Sequence, residues 1–544
     1  MSTKVNEISS EVGTGRSVVY GANGMVATAH PLATATGLRV LMEGGNAVDA
    51  ALAAAATTWV TLPMMCGPGG DAFILIYDAK SGRTTAINGS GMVGRRATLE
   101  YLAARGYTTQ MPVAGMLSAA IPGAVDAFEE AILRFGSRPW DYVLRDAIRY
   151  AEGHPVAEKA AAYFQEARAK LAQFPSTAAV YLKYGETPRP GTILRQPDYA
   201  ESLRRVARGG AQEFYRGALG ARIGAAADAE GLFDADELAE HRSLVYEPLR
   251  IAYRGYEVLG AAPPSQTMIH LQSQAIAGAF DLASLSPVDA QHVLVEANKI
   301  ATADRNRWAG DPEQVDFPLA GLLSPAYTRR RAADIRMDAT LDLNAAGDPN
   351  GDTTYLCVVD RDGNAVSLIH SLSNVFGTGQ IIEGTGLFLN NRAGRGFLLE
   401  EGHPNCIAPN KRTMHTLNCY MVMKEGLPHL VGGTPGGDSQ PQWNLQVLAY
   451  FLDHGLGVQE VAEAPRWVRS PATDPARAGS APLLAMESRF SRSILEGLKA
   501  KGHPVHVVGP WAAGGAVQLI YVDRERGILH GGSDPRADGA AMGF

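Results

Sequence analysis

The chain has 544 residues, 46% of them hydrophobic and 19% charged, with a formal net charge of −7. That is enough apolar material for one large α/β unit or two closely packed ones, and it argues against disorder. The nearest thing to a basic block, Thr328-Arg329-Arg330-Arg331, reads as a solvated helix face, so nucleic acid is not an expected partner.

The first sixteen residues are polar and lack the apolar core of a signal peptide. The Ala/Thr-rich run Ala50–Met65 is broken by Pro63 and is too short to span a bilayer, so it reads as a buried helix. The four cysteines, Cys66, Cys357, Cys406 and Cys419, are scattered and form no C-x-x-C pair. Neither a zinc site nor a redox motif is indicated, and a reducing compartment is. The expectation is a cytoplasmic protein without membrane contact, metal or cofactor.

Residues 17–27 predict a short strand leading into a helix over Ala29–Glu43. Gly44-Gly45 breaks it, and Asn46 is placed to cap a second helix running to about Val60. Cys66–Asp71 is a tight glycine loop, followed by a strand over Ala72–Tyr77, a turn at Lys80-Ser81-Gly82 and a strand over Thr84–Asn88. From about Gly123 to Glu240 the pattern is mainly helical. A strand over Tyr253–Leu259 and helices over Met268–Phe280 and Asp289–Arg307 follow. Residues 338–350 have no period and many turn formers, and read as an exposed connector.

After the connector, strands dominate. They are expected over Thr354–Val359, Ala365–Leu372, Gly386–Leu389, Asn418–Lys424, His429–Gly432, Gly515–Val522 and Ile528–Gly532, with a helix over Trp443–Leu452. Two features in this half carry chemistry. The connector ends at Gly351-Asp352-Thr353-Thr354, where a strand begins at once. A hydroxyl at that point can attack the preceding carbonyl and give an ester that water opens. The same residue then carries a free α-amine, with a pKa near about 8, able to take the hydroxyl proton. The second feature is Gly432-Gly433-Thr434-Pro435-Gly436-Gly437-Asp438, between a strand and a helix. Such a loop serves as a tight turn or as a set of backbone N–H donors for an anion.

Together with Glu43–Ala51, Gly69-Gly70, Ala303-Asp304-Arg305, Val359–Ala365, Phe376–Gly379, Leu389-Asn390-Asn391, Pro409–Arg412 and Ser533–Arg536, these segments resemble the γ-glutamyltranspeptidase family along nearly the whole chain. The resemblance implies an α/β fold, the four-layer αββα sandwich of N-terminal-nucleophile hydrolases. It implies autocleavage between Asp352 and Thr353 into a large (1–352) and a small (353–544) subunit that remain one intertwined fold. Two copies of the processed heterodimer are a plausible assembly. On that template Thr353 is the nucleophile, Thr354 and Ser371 assist it, and Gly436 and Gly437 supply the oxyanion hole.

The departures from the family concern the substrate. The family's arginine for the glutamyl α-carboxylate is replaced by Gly89-Ser90-Gly91. The run that carries its acid for the α-amino group reads Asn390-Asn391-Arg392-Ala393-Gly394-Arg395. Ser373 stands in place of a substrate-binding asparagine, beside Asn374, and a serine pair becomes His415-Thr416. Arg392, Arg395, Arg412 and His415 would favour an anionic acyl group over an ammonium. These segments are similar to the oxamate amidohydrolase and cephalosporin acylase branch. The implied activity is hydrolysis of the amide of a small anionic acyl group, oxamate-like or dicarboxylic. The alternatives are a γ-glutamyltransferase or glutathione hydrolase, an oxalyl-releasing C–C hydrolase of a biosynthetic pathway, and a non-catalytic binding protein. The short segment between Phe397 and Ala408 leaves an open site and favours water over an amine acceptor.

Overall fold

The computed structural model describes residues 8–9, 15–342, 352–471 and 481–544. Its centre is two seven-stranded sheets. One runs in the order Ala540–Gly543, Gly24–Thr28, Asp352–Asp360, Ala365–Ser373, Asp71–Asp78, Arg83–Gly89, Leu244–Tyr246. The other runs Val19–Gly21, Ile528–Ser533, Gln518–Asp523, Leu427–Gly433, Cys419–Lys424, Tyr256–Gly260, Leu249–Tyr253. All pairings within these two sheets are antiparallel.

Three cores define four layers. Met25, Phe73, Tyr355, Ile369, Met421 and Ile520 interdigitate between the two sheets. The opposite face of the first sheet, through Val26, Ile74, Leu356 and Leu368, packs on the helices Ala47–Thr61, Ala124–Phe135 and Trp140–Glu152. The outer face of the second, through Val258, Val422 and Leu519, packs on Thr267–Ala277, Pro287–Trp308 and Gln440–Leu448. The αββα sandwich follows from period-2 strands with two apolar faces.

Local chemistry sets the element ends. Asn46 caps Ala47–Thr61, accepting from the N–H groups of Val48 and Asp49, while Asp49 accepts from Asn46 N–H at 2.9 Å. Every residue of that helix is buried, which is why its composition is nearly all small or apolar.

The expected single strand over Tyr253–Leu259 is instead a hairpin. Arg254 and Gly255 take φ of 52° and 83°, and Leu249–Tyr253 pairs with Tyr256–Gly260. The expected strand over 17–27 is likewise two, belonging to different sheets. The helix expected over Trp443–Leu452 begins earlier, at Gln440, and ends in a wide π turn over Ala449–Asp453. A small sheet of Trp467–Ser470, Leu483–Glu487 and Val505–Val508, and the edge strand Ala540–Gly543, gave no clear alternation to read. Most of the expected connector over 338–350, from 343 on, lies outside the described residues. No described helix is long and apolar enough to cross a membrane.

Candidate active site

Thr353 is the second residue of the strand Asp352–Asp360. Asp352 stands opposite Ser373 and Thr354 opposite His370, so the neighbouring strand carries one extra residue at this point. A bulge of this kind re-aims side chains. Here it brings Ser371 onto Thr353, whose hydroxyl donates to Ser371 Oγ at 3.3 Å. Ser371 Oγ also accepts from Ser373 N–H at 2.8 Å, and Ser373 is held at φ 86°.

Gln440 supplies a second contact that the sequence did not disclose. Its Nε2 donates to Thr353 Oγ1 at 3.3 Å, and its Oε1 accepts from Asn418 N–H at 2.9 Å. The backbone donor fixes the amide orientation, so the group facing Thr353 must be the NH2. Thr354 is buried and its hydroxyl has no hydrogen-bond partner, so no hydrogen bond joins it to the Thr353 hydroxyl.

The glycine loop closes over the same point. Gly436 and Gly437 take φ of 129° and 52°. A Cβ on Gly436 would stand 2.1 Å from the Trp443 ring. Gly437 starts a 3-10 turn that runs into the helix Gln440–Leu448. The first N–H groups of a helical run have no intrahelical acceptor and carry its positive end. Gln266, also missed in the sequence, holds the loop from behind. Its Nε2 donates to Gly437 O at 2.7 Å and to Thr416 O.

The three arginines expected to favour an anionic group are each paired with a carboxylate. Arg392 Nε donates to Asp71 Oδ2 at 3.2 Å and Nη1 to Thr416 Oγ1 at 3.1 Å; Nη2 has no hydrogen bond. Asp71 is opposite Ser371 in the sheet, which ties this pair to the nucleophile. Arg395 donates to Asp438 at 2.6 Å, linking the helical turn Arg392–Gly396 to the glycine loop. Arg412 is held by Glu313 at 2.6 Å and by Ser90 O at 3.2 Å. Each cation therefore has its own carboxylate, from parts of the chain distant in sequence. The cluster is not a reservoir of free positive charge.

Burial pushes the Asp71 carboxyl up to about 6 against the pull of Arg392, and brings the Arg392 guanidinium down to about 10. Both are ionised near pH 7. His415 is driven well below 6.5, first by burial and then by Arg392, Arg395 and Arg412, so it is neutral. Its Nε2 lies 3.5 Å from Asp71 Oδ2 and neither ring nitrogen makes a hydrogen bond. Asn374 N–H donates to Asn391 at 2.9 Å, and its Oδ1, like Ser373 Oγ, has no partner. Arg392, His415, Ser373 and Asn374, like Thr354, thus present hydrogen-bonding atoms that no protein group satisfies.

On the other side of Thr353 lies an open cleft of about 660 Å³, lined by Thr353, Gly436, Val375 and a series of alanines. Among the described residues, His292, Glu296 and His503 have the makings of a metal site. The Lys299 ammonium, 2.9 Å from Glu296 Oε1, already takes the cation's place there.

A hydroxyl at the head of an internal strand, a glycine loop at a helix start and the αββα frame define an N-terminal-nucleophile hydrolase. Residues 33–544 match the gamma-glutamyltranspeptidase family model, and the chain belongs to that family. It is 37% identical to a glutathione hydrolase-like YwrD proenzyme of Bacillus subtilis, covering 97% of this chain and 99% of that protein. It is 34% identical to an oxamate amidohydrolase proenzyme of Klebsiella pneumoniae, covering 96% and 98%. The crystal structure of a cephalosporin acylase from Bacillus halodurans superposes with a TM-score of 0.91 at 34% identity, over 98% of both chains. The relatives are hydrolases, acylases and amidohydrolases, so amide hydrolysis is the class of chemistry.

Proposed function

We propose that the chain is a precursor that cuts itself between Asp352 and Thr353, and that Thr353 then hydrolyses the amide of a short anionic acyl group. The reading rests chiefly on one observation. The Thr353 hydroxyl is held between Ser371 and Gln440 at the mouth of a cleft that Gly436 also lines.

In turnover, the free α-amine of Thr353 takes the hydroxyl proton as Oγ1 bonds to the substrate carbonyl carbon. The N–H groups of Gly436 and Gly437 receive the negative charge on the carbonyl oxygen. The C–N bond breaks, the amine base returns its proton to the departing nitrogen, and the acyl group remains as an ester on Thr353. Water, deprotonated by the same amine, opens the ester. Ser371 and Gln440 orient Oγ1 throughout.

The acyl preference rests on what Arg392 has left over. Its Nη2 is a buried donor with no protein partner, and Ser373 Oγ, also buried, has none either. One carboxylate fits this pair of donors; a second negative charge meets Asp71 and Asp438. Oxalyl and short dicarboxyl amides satisfy that condition.

The test is processing followed by a substrate panel. Wild-type protein is expected to give fragments 1–352 and 353–544 on a denaturing gel, and Thr353→Ala to give one uncut band with no activity. Ammonia or amine release is then measured from oxamate, glutaryl amide and a γ-glutamyl amide. Uncut, folded wild-type protein would overturn the nucleophile assignment, and preferential γ-glutamyl hydrolysis would overturn the acyl assignment.

A further inference from the structure

The loop that leaves the strand Ala365–Ser373 is sharply bent. Ser373, Phe376, Gly377 and Gly379 take φ of 86°, 59°, 52° and 77°. Two of these residues are not glycine, and a left-handed backbone there is costly and persists only where its surroundings fix it. The loop also carries two site groups without partners, Ser373 Oγ and Asn374 Oδ1. Ser373 N–H donates to Ser371 Oγ, which accepts from Thr353. The loop therefore lies two hydrogen bonds from the nucleophile.

What fixes it comes from two short helices outside the sheets, Arg168–Leu171 and Pro175–Tyr181. Lys170 Nζ donates to Val375 O at 2.7 Å and to Gly377 O at 2.6 Å. Thr177 Oγ1 donates to Gly379 O at 2.8 Å and accepts from Ile381 N–H at 2.9 Å. The Lys170 stem runs over Gly379, where a Cβ would stand 2.8 Å from Lys170 Cε. Phe376 packs against Phe164, Tyr181 and Phe388, which holds the middle of the bend. Two carbonyl oxygens that converge on one point repel each other unless a cation sits between them. A bond from a charged donor is also about twice as strong as a neutral one. Lys170 thus supplies the strongest hold on the loop at the residues next to Asn374.

We infer that Lys170 is a positioning residue for substrate recognition: its ammonium locks the loop 373–379 so that Ser373 Oγ and Asn374 Oδ1 meet the acyl group held on Thr353. Lys170 acts through Val375 O and Gly377 O and does not itself touch substrate. The assignment rests on the reading of Thr353 as nucleophile and goes beyond it. It places a determinant of acyl recognition in a helical segment that carries none of the site's sequence motifs. It also gives a use to Phe376-Gly377-Thr378-Gly379, whose backbone the lysine and Thr177 grip.

The experiment compares processed wild-type enzyme with Lys170→Met, which keeps the stem and removes the donors, and Lys170→Arg, which keeps a cationic donor. Substrates are glutaryl amide and its neutral diamide, glutaramide. In the Met variant KM for both is expected to rise at least about tenfold while kcat changes by less than about threefold. The Arg variant is expected to recover most of that loss. Glutarate, titrated calorimetrically, is expected to bind the Met variant at least about tenfold more weakly. Thr177→Val releases the same loop at its far end, should raise KM in the same direction, and carries the test if Lys170→Met does not fold. A fall in kcat at constant KM would mean a general loss of packing and would overturn the assignment. A loss confined to the anionic substrate would overturn it too, since Lys170 would then act on the substrate's charge directly. So would unchanged KM and glutarate affinity in both variants. Glutarate binding that depends on Lys170 in an enzyme without turnover would instead sink the nucleophile assignment and leave Lys170 standing.

Discussion

A threonine hydroxyl is a poor nucleophile, and its rotamer and proton decide what it can do. Thr353 donates to Ser371 and accepts from Gln440, which leaves one lone pair for attack. Gln440→Met keeps the bulk and removes the donor, while Gln440→Glu turns the donor into an acceptor. The Met variant is expected to process and turn over about 10- to 100-fold more slowly with KM little changed. The Glu variant is expected to be slower still above the pKa of its carboxyl. Equal kcat in wild type and Gln440→Met, measured in single-turnover experiments, would remove Gln440 from the mechanism. A second test uses Asp71, whose carboxyl lies near 6 because of burial. As pH falls through that value Asp71 gains a proton and Arg392 is left without its counter-charge. KM for an anionic acyl substrate should therefore drop by about threefold or more from pH 7.5 to 5.5. Over the same range kcat should fall as the α-amine, near about 8, is protonated. A neutral acyl amide should show the fall in kcat alone. Thr353 was legible in the sequence because a turn-rich connector meets a strand there and family motifs surround it. Ser371 came with the resemblance, but Gln440 was not legible, because a glutamine at a helix start has structural uses everywhere. Arg392 and Arg395 were legible as residues and illegible as charges. Their carboxylates come from Asp71, on another strand, and Asp438, in the glycine loop.

At the scale of elements, the site depends on keeping short pieces of backbone in register. The glycine loop is anchored by Gln266 behind and by the Arg395–Asp438 pair at its side. Both members of that pair are buried, so Asp438→Asn takes the carboxylate away from a buried guanidinium. The expected cost is about 3–5 kcal/mol in stability, read from urea denaturation. Arg395→Met together with Asp438→Leu removes both charges and should recover most of that loss. Recovery of stability without recovery of kcat would show that the pair also shapes the oxyanion loop. Elements with a strong period were readable: Ala47–Thr61 with its Asn46 cap, and Asp71–Asp78 with its turn. The Leu249–Gly260 hairpin was not, because Arg254 occupies the left-handed position where glycine or asparagine is the usual signal.

For the whole molecule, the decisive fact is that neither half of the chain owns a sheet. Asp352–Asp360 and Ala365–Ser373 lie between Gly24–Thr28 and Asp71–Asp78 in one sheet. Cys419–Lys424 pairs with Tyr256–Gly260 in the other. Cutting before Thr353 therefore severs the chain without separating the fragments, and 1–352 and 353–544 should co-elute in native buffer and part only in denaturant. The same dense burial sets the acid limit of the fold. His30, His241, His270, His370 and His503 are all pushed down to about 3, in each case chiefly by burial. His370 shows the arrangement: Nδ1 accepts from Trp59 Nε1 at 3.0 Å, so Nε2 carries the proton and faces Thr58 Oγ1 at 3.2 Å. A folded value below the unfolded 6.5 means that the unfolded chain binds protons first as pH falls. The stabilisation is complete above 6.5 and is lost progressively between there and about 3. Each such histidine contributes on the order of 1 kcal/mol per pH unit in that window. Asp71 and Asp538, with raised values, work in the opposite direction, but His415 and His429 are also pushed down and add to the five. The urea midpoint should therefore fall steeply from pH 7 to pH 5, and His370→Gln, which cannot take up a proton when unfolded, should flatten that slope. An unchanged slope in the variant would mean that His370 is already protonated in the folded protein.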